Sequence, residues 1–228
     1  MNESINGAIT ISDSVEKKSV SDKKILYMFF KRTFDILGAI LGCLLLLPVI
    51  VIVKICYMCN KDFTSIFFVQ NRIGKDGKVF KLYKFRSMSP NAEDILKELL
   101  KDPKYKKEWD ENQKFHDDPR LTKIGKYLRK TSIDEMPQFL NILNGDMSFI
   151  GPRPLVKGEL EEHNGNHRIY ESVKPGITGW WACNGRSNTT YEERLDLEYY
   201  YIKNQSLSID IKCIFLTIKA VIFKIGAK

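Results

Sequence analysis

The stretch ILGAILGCLLLLPVIVIV, from Ile36 to Val53, runs for 18 residues without a charged side chain. A run of this length sits at the lower edge of what a membrane-spanning helix requires. It has no polar face, which argues against a helix buried in a soluble core. Pro48 lies inside it and removes one helix hydrogen bond, predicting a kink or break. Basic residues flank both ends, Lys31 and Arg32 before and Lys54 and Lys61 after. Positive charge favours the cytoplasmic side of a membrane. If both ends obey that preference, the segment enters and returns on one face as a helix–break–helix hairpin. An ordinary bitopic anchor fits the composition equally well.

Ahead of this run, residues 1–24 are polar and read as a mobile tail. Ile25 to Phe34 mixes aromatic and aliphatic residues with Lys31 and Arg32, an interfacial lead-in. Residues 25–60 then form the membrane segment, and 61–228 form one further domain. Within that domain, Ser65–Gln70 and Lys78–Phe85 flank a turn-like Asn71–Gly77 and predict a β-hairpin. A helix starts near Ser89-Pro90, and Trp109 and Phe115 are the core candidates of the charged stretch Lys101–Asp118. Further helices are expected over Leu121–Arg129, Ile133–Leu143, Glu159–Ser172 and 191–203. The apolar stretch Leu207–Gly226 carries Lys212 and Lys219 on one face, as in a helix lying on a membrane. The fold class is α+β, mostly helical, with a β-hairpin and interfacial amphipathic helices.

The chain of 228 residues carries a net charge of +8, which predicts anionic partners. Five scattered cysteines make no disulfide framework and point to a reducing compartment. Cys56-x-x-Cys59 has no second ligand pair at zinc-like spacing. No Walker loop, dinucleotide fingerprint, nucleophile elbow or nucleic-acid recognition pattern occurs, so nucleic acid is not an expected partner.

Four constellations carry candidate chemistry. The first is RKTSIDEMPQ, Arg129 to Gln138. Ser132 and Glu135 fit a capping box, and Asp134 before Pro137 fits an N-cap. The same helix start would favour an ionised Asp134, which can act as a nucleophile toward phosphorus. Glu135 beside it can hold Mg²⁺ together with substrate phosphates, and Arg129 can neutralise phosphate charge. The second is Gly145–Pro154, where prolines on either side fix Arg153 in a rigid loop, either as an anion clamp or as a solvated turn residue. The third is Lys84-Phe85-Arg86-Ser87-Met88, whose alternating charge also suits a solvated strand face. The fourth is Lys174-Pro175-Gly176 through Gly179-Trp180, followed by Asn184-Gly185-Arg186, where Lys174 and Arg186 invite an anion and the tryptophans suit loop packing. His163 and His167 are spaced for one helix face, which a solvated face explains better than a metal site.

Taken in order, these segments resemble the bacterial sugar transferase family, the monotopic polyprenyl-phosphate phosphoglycosyl transferases. The resemblance runs from about Tyr27 to Phe223. It implies a re-entrant membrane hairpin kinked at Pro48, with the catalytic domain on the cytoplasmic face of a bacterial inner membrane. It implies Asp134 as nucleophile, Glu135 as Mg²⁺ ligand and Arg129 as a phosphate contact. Lys84, Arg86, Arg153, Lys174 and Arg186, from the constellations above, are the other expected phosphate- or substrate-binding cations. The expected partners are a UDP-sugar and polyprenyl phosphate, and a homodimer is compatible. The stretch Asn91–Arg120 is similar to that of members transferring hexose 1-phosphate. One departure is Ala182, where many members carry glutamine, which places sugar or nucleotide preference in question. A non-catalytic lipid-binding scaffold and a membrane-bound UDP-sugar hydrolase are the competing expectations.

Overall fold

The computed structural model describes residues 2–112, 115–185 and 189–222, with side chains described within 22–110, 115–185 and 189–220. Helix α1, Asn2–Cys59, is the longest element. Its backbone is helical through the polar stretch where the sequence predicted a mobile tail. Helical structure also continues unbroken through Pro48. An interior proline removes one backbone hydrogen bond without obliging the chain to leave the helix, and packing on both sides of it holds the turns together.

That packing follows one stripe. Asp35, Ala39, Leu46, Val53 and Tyr57 are buried, at spacings that return to the same helix face. Gly38 and Gly42 let the aromatic rings of Phe149 and Phe139 approach, since a Cβ would stand 2.7 and 2.6 Å from them. Over Ile36–Ile55 the surface away from this stripe carries exposed apolar side chains, including Leu37, Leu41, Leu44, Leu47, Val51 and Ile55. Asp22–Cys59 is long and apolar enough to cross a membrane by length and composition.

The predicted hairpin forms. Strands β1, Phe67–Ile73, and β2, Val79–Phe85, pair antiparallel with Gln70 opposite Leu82. On β2 the period of two puts Phe80, Leu82 and Lys84 on one face, and Phe80 and Leu82 are buried there. Lys84 is therefore aimed inward by the strand, where its sequence pattern suited a solvated face. Helices α2, Ala92–Leu99, and α3, Pro103–Asn112, precede a buried Phe115. Helix α4, Lys123–Thr131, is capped by the Thr122 hydroxyl accepting from the Gly125 amide at 2.8 Å.

Helix α5, Gln138–Asn144, lies against α1 and β2. Its Asn141 side chain donates to the Lys81 carbonyl at 2.6 Å and accepts from the Tyr83 amide at 3.1 Å, closing the open edge of β2. Strand β3, Ser148–Ile150, pairs parallel with β4, Gly176–Thr178. Between them the single helix expected over Glu159–Ser172 is two short turns, α6 Glu159–Glu162 and α7 His167–Tyr170. Asn164 takes a left-handed φ of 52° between them. Gly165 sits directly on Leu160, so the chain folds back where the sequence pattern would have continued a helix.

Helices α8, Trp180–Asn184, α9, Tyr191–Lys203, and α10, Leu207–Ile222, complete the described residues. The Thr190–Glu193 capping box starts α9. α10 returns to α1: Asp210 pairs with Lys31 at 2.8 Å and accepts from the Tyr27 hydroxyl at 2.9 Å.

Candidate active site

Ser132 ends α4 in the left-handed conformation, φ 56°, with its amide bonded back to the Arg129 carbonyl at 3.1 Å. The Ser132 side chain makes no capping bond, so the predicted capping box is not formed. A serine that closes one helix in this conformation cannot also present its hydroxyl to the next. The chain then makes a single 3₁₀ turn, Ile133–Glu135. Ile133 and Met136 pack on the cluster of Leu46, Val53, Tyr57, Phe85 and Leu128. That anchoring fixes the turn and leaves the acidic pair on its other side.

Asp134 is nearly buried, at 9% exposure. Burial, and secondly the charge of Glu135, push its carboxyl up to about 6, against the opposing pull of Lys84 and Arg129. Glu135 is more open and accepts from Lys84 Nζ at 2.7 Å. Arg129 is oriented by its Nε, which donates to the Ser87 hydroxyl at 3.0 Å.

Beside this pair lies a cleft of about 290 Å³ lined by Arg72, Lys84, Glu135, Arg153, Trp181 and Glu198 among others. Arg153 enters it from the loop after β3. Its peptide is held from both sides: its amide donates to Glu198 Oε1 at 3.0 Å, and its carbonyl accepts from the Tyr170 hydroxyl at 3.0 Å. The β3–β4 pairing sets the height of this loop, because Gly151 rests on the backbone of Pro175 and Gly176 too closely for any Cβ. Burial pushes Glu198 up to about 7.

The structure thus brings Asp134, Glu135, Lys84, Arg129 and Arg153 into one neighbourhood. Arg86 is placed elsewhere. Its guanidinium pairs with Asp62 at 2.7 Å, donates to the Ser65 and Met88 carbonyls at 2.7 and 2.9 Å, and lies over the Tyr57 ring at 4.5 Å. It ties the C-terminal end of α1 to the hairpin, and it does not line the cleft. Lys174 also stands outside the cleft, near Arg32, Asp35 and Asp146, with its pKa lowered by burial and by Arg32. Arg186 lies outside the described residues. His163 stacks on Tyr191 at 3.5 Å between ring centroids, and His167 pairs with Glu171 at 2.6 Å. Arg72, Tyr170 and Glu198 were not among the expected site residues. Arg72 lay in the stretch Asn71–Gly77 read as a turn, whereas it belongs to β1, and Glu198 looked like one of several acidic residues on α9.

A second cavity, of about 280 Å³, lies between the hairpin turn and α6–α7. It is lined mainly by aliphatic groups, with His167 and Tyr170 on its wall, and holds neither the acidic pair nor its cations. Among the described residues no three His, Cys, Asp or Glu side chains cluster as a metal cage. The donor set fits Mg²⁺ in its usual manner, which needs one or two carboxylates and substrate phosphate oxygens. Glu135, partly exposed on the cleft wall, supplies such a carboxylate, and Asp134 is its sequence neighbour.

These features define a class: an α+β domain carrying a long apolar helix, with an acidic pair beside a cationic cleft. The chain belongs to the bacterial sugar transferase family, whose sequence profile matches residues 26–224. It is 44% identical over 200 residues to the UDP-galactose-lipid carrier transferase of Erwinia amylovora, covering 87% of this chain and 42% of that protein. It is 45% identical over 222 residues to the galactosyl transferase CpsE of Streptococcus agalactiae, covering 94% of this chain and 47% of that one. It is 41% identical over 198 residues to the exopolysaccharide production protein ExoY of Sinorhizobium fredii, covering 86% of this chain and 87% of that one. The chain spans less than half the length of the first two relatives and most of the third.

Proposed function

We propose that this chain transfers a sugar 1-phosphate from a UDP-sugar to polyprenyl phosphate, giving polyprenyl-diphosphate-sugar and UMP. The observation that carries the reading is the nearly buried Asp134 next to Glu135, which lines a cleft together with Lys84, Arg72 and Arg153. A carboxylate nucleophile and fixed cations are what displacement at a charged phosphorus requires. A relative from Salmonella typhimurium, 42% identical over 200 residues, is named undecaprenyl-phosphate galactose phosphotransferase, which supports the substrate classes.

In the first step an oxygen of ionised Asp134 bonds to the β-phosphorus, and the bond from that phosphorus to the bridging oxygen breaks. UMP leaves with the electron pair, and the sugar phosphate remains on Asp134. In the second step an oxygen of the lipid phosphate bonds to the same phosphorus and Asp134 is released. Lys84 and Arg153 offset phosphate charge, and Arg129 holds the acidic pair in a positive field. Glu135 would hold Mg²⁺ with phosphate oxygens, and the ion would supply further charge neutralisation.

The packing of α1 supports a placement of both its ends on one membrane face. Its Lys31 end is tied to Asp210 and its Tyr57 end to the Arg86 carbonyl. These anchors are about 39 Å apart along a helix, more than the roughly 30 Å hydrocarbon core, yet both grip the same domain. A helix that crossed the bilayer would place them in opposite compartments. Labelling of a cysteine introduced near residue 20 is expected from the cytoplasmic side, and labelling from outside would exclude this placement.

The activity test is UMP release from UDP-sugars in membranes with and without undecaprenyl phosphate. Lipid-dependent release that is lost in Asp134→Asn is expected. Full activity in that variant would remove Asp134 as nucleophile, and lipid-independent release would indicate a hydrolase.

A further inference from the structure

Among the described residues, the buried side-chain nitrogens and oxygens without a hydrogen-bond partner belong to Arg72, Arg194 and Glu198. Two of these three residues, Arg72 and Glu198, line the cleft beside the acidic pair. Buried polar atoms are ordinarily paired, because an unpaired one loses its hydration without return. Here the orphaned atoms are an acceptor, Glu198 Oε2, and three donors, Arg72 Nε and Arg194 Nε and Nη2, of which Glu198 Oε2 and Arg72 Nε belong to residues of the cleft.

The surroundings narrow what would pair with them. Glu198 is 1% exposed and its other oxygen, Oε1, is already committed to the Arg153 amide. Arg72 is held by the Pro154 carbonyl at 3.0 Å and by Gln70 at 2.7 Å, so it cannot swing out to solvent cheaply. Trp181 adds an aromatic wall, and its indole nitrogen is tied to Thr189 at 2.8 Å. A flat wall, one acceptor and one donor form a recognition site for a planar imide, which offers an N–H flanked by carbonyls. Uracil has that edge. Cytosine, with an acceptor at the same ring position, does not.

We infer that Glu198 is a base-recognition residue of the nucleotide substrate, its Oε2 accepting the N3–H of uracil while Arg72 donates to the neighbouring carbonyl. This rests on the nucleotide-sugar reading proposed above. A hydrogen bond to a charged group contributes roughly 1.5–3 kcal/mol, or about 10- to 150-fold in affinity.

The test is calorimetric titration at pH 8 of the full chain in detergent with UMP, CMP and N3-methyl-UMP, requiring no turnover. Wild type is expected to bind UMP at least tenfold more tightly than the other two. Equal binding of UMP and N3-methyl-UMP by wild type overturns the inference without any variant. Glu198→Gln keeps an acceptor for the Arg153 amide but can offer a donor to the base. It is expected to lose at least tenfold for UMP and to lose the discrimination against N3-methyl-UMP. Weakened binding with discrimination intact, as expected also of Tyr170→Phe, would reduce Glu198 to a support for the loop and overturn the inference. A loss seen with UDP-sugar but not UMP would assign Oε2 to a sugar hydroxyl and overturn it too. If wild type binds no UMP at all, it is the nucleotide-sugar reading that fails.

Discussion

Replacing Asp134 by asparagine is expected to abolish transfer and, at the same time, to make the folded chain more stable. The carboxyl ordinarily ionises near 3.8 and is pushed up to about 6 in the fold, chiefly by burial and then by Glu135. A raised carboxylate pKa means the native state holds its proton more tightly than the unfolded chain does. Stability associated with that proton is present at low pH and is lost as pH rises between about 4 and 6. A tenfold difference in proton affinity is worth about 1.4 kcal/mol, so ionised Asp134 costs roughly 3 kcal/mol at pH 8 and about 1 kcal/mol at pH 4.5. Asparagine has the same shape and carries no such cost. For a chain of this size 1 kcal/mol moves the melting midpoint by about 2–4 °C. Thermal unfolding in one detergent should place the variant roughly 6–12 °C above wild type at pH 8, with the gap closing toward pH 4.5. A gap that is absent, or that does not depend on pH, would refute the electrostatic account of this site.

Lys84→Met removes a cation that lowers the Asp134 pKa. The acid limb of the rate profile, expected near pH 6 in wild type, should move to higher pH, and an unmoved limb would detach Lys84 from the nucleophile. Gly125→Ala places a methyl group inside the Ser87 carbonyl, backbone against backbone. A loss of at least 1–3 kcal/mol in denaturant unfolding is expected, and wild-type stability would mean α4 is not seated on Ser87. Gly42→Leu drives a side chain into the Phe139 ring and should lower the melting midpoint in detergent. Leu44→Ala, on the exposed apolar face, should leave it unchanged, and equal effects would contradict the packed stripe.

Elements with local signals were legible in the sequence. The hairpin declares itself through a turn between β-forming runs, and α9 begins at Thr190 with a reciprocal cap visible as a Thr–Glu spacing. The parallel β3–β4 pair was not legible, since each strand has three residues and its partner lies far along the chain. The 159–172 segment carried helical periodicity, and only the contact of Gly165 with Leu160 shows why it folds in two. At the site, the acidic pair and Arg153 stood out by motif. Glu198 did not, because burial of one carboxylate among several on α9 is decided by tertiary packing. Arg86 is the converse case. Its neighbours in sequence suggested a phosphate contact, while its contacts in space are Asp62, Tyr57 and two carbonyls.

The stripe on α1 limits how such a chain can change length. Its contacts with the domain extend from Tyr27 and Lys31 through Gly42 to Tyr57. Inserting one residue midway would turn one half by about 100° relative to the other, putting Leu41 where Gly42 now fits or Ile36 where Asp35 does. A seven-residue change keeps the phase to within about 20°. On the membrane placement proposed above, the depth to which this helix reaches is therefore quantised by helical phase, and a graded adjustment to a thicker or thinner bilayer has to come from tilt.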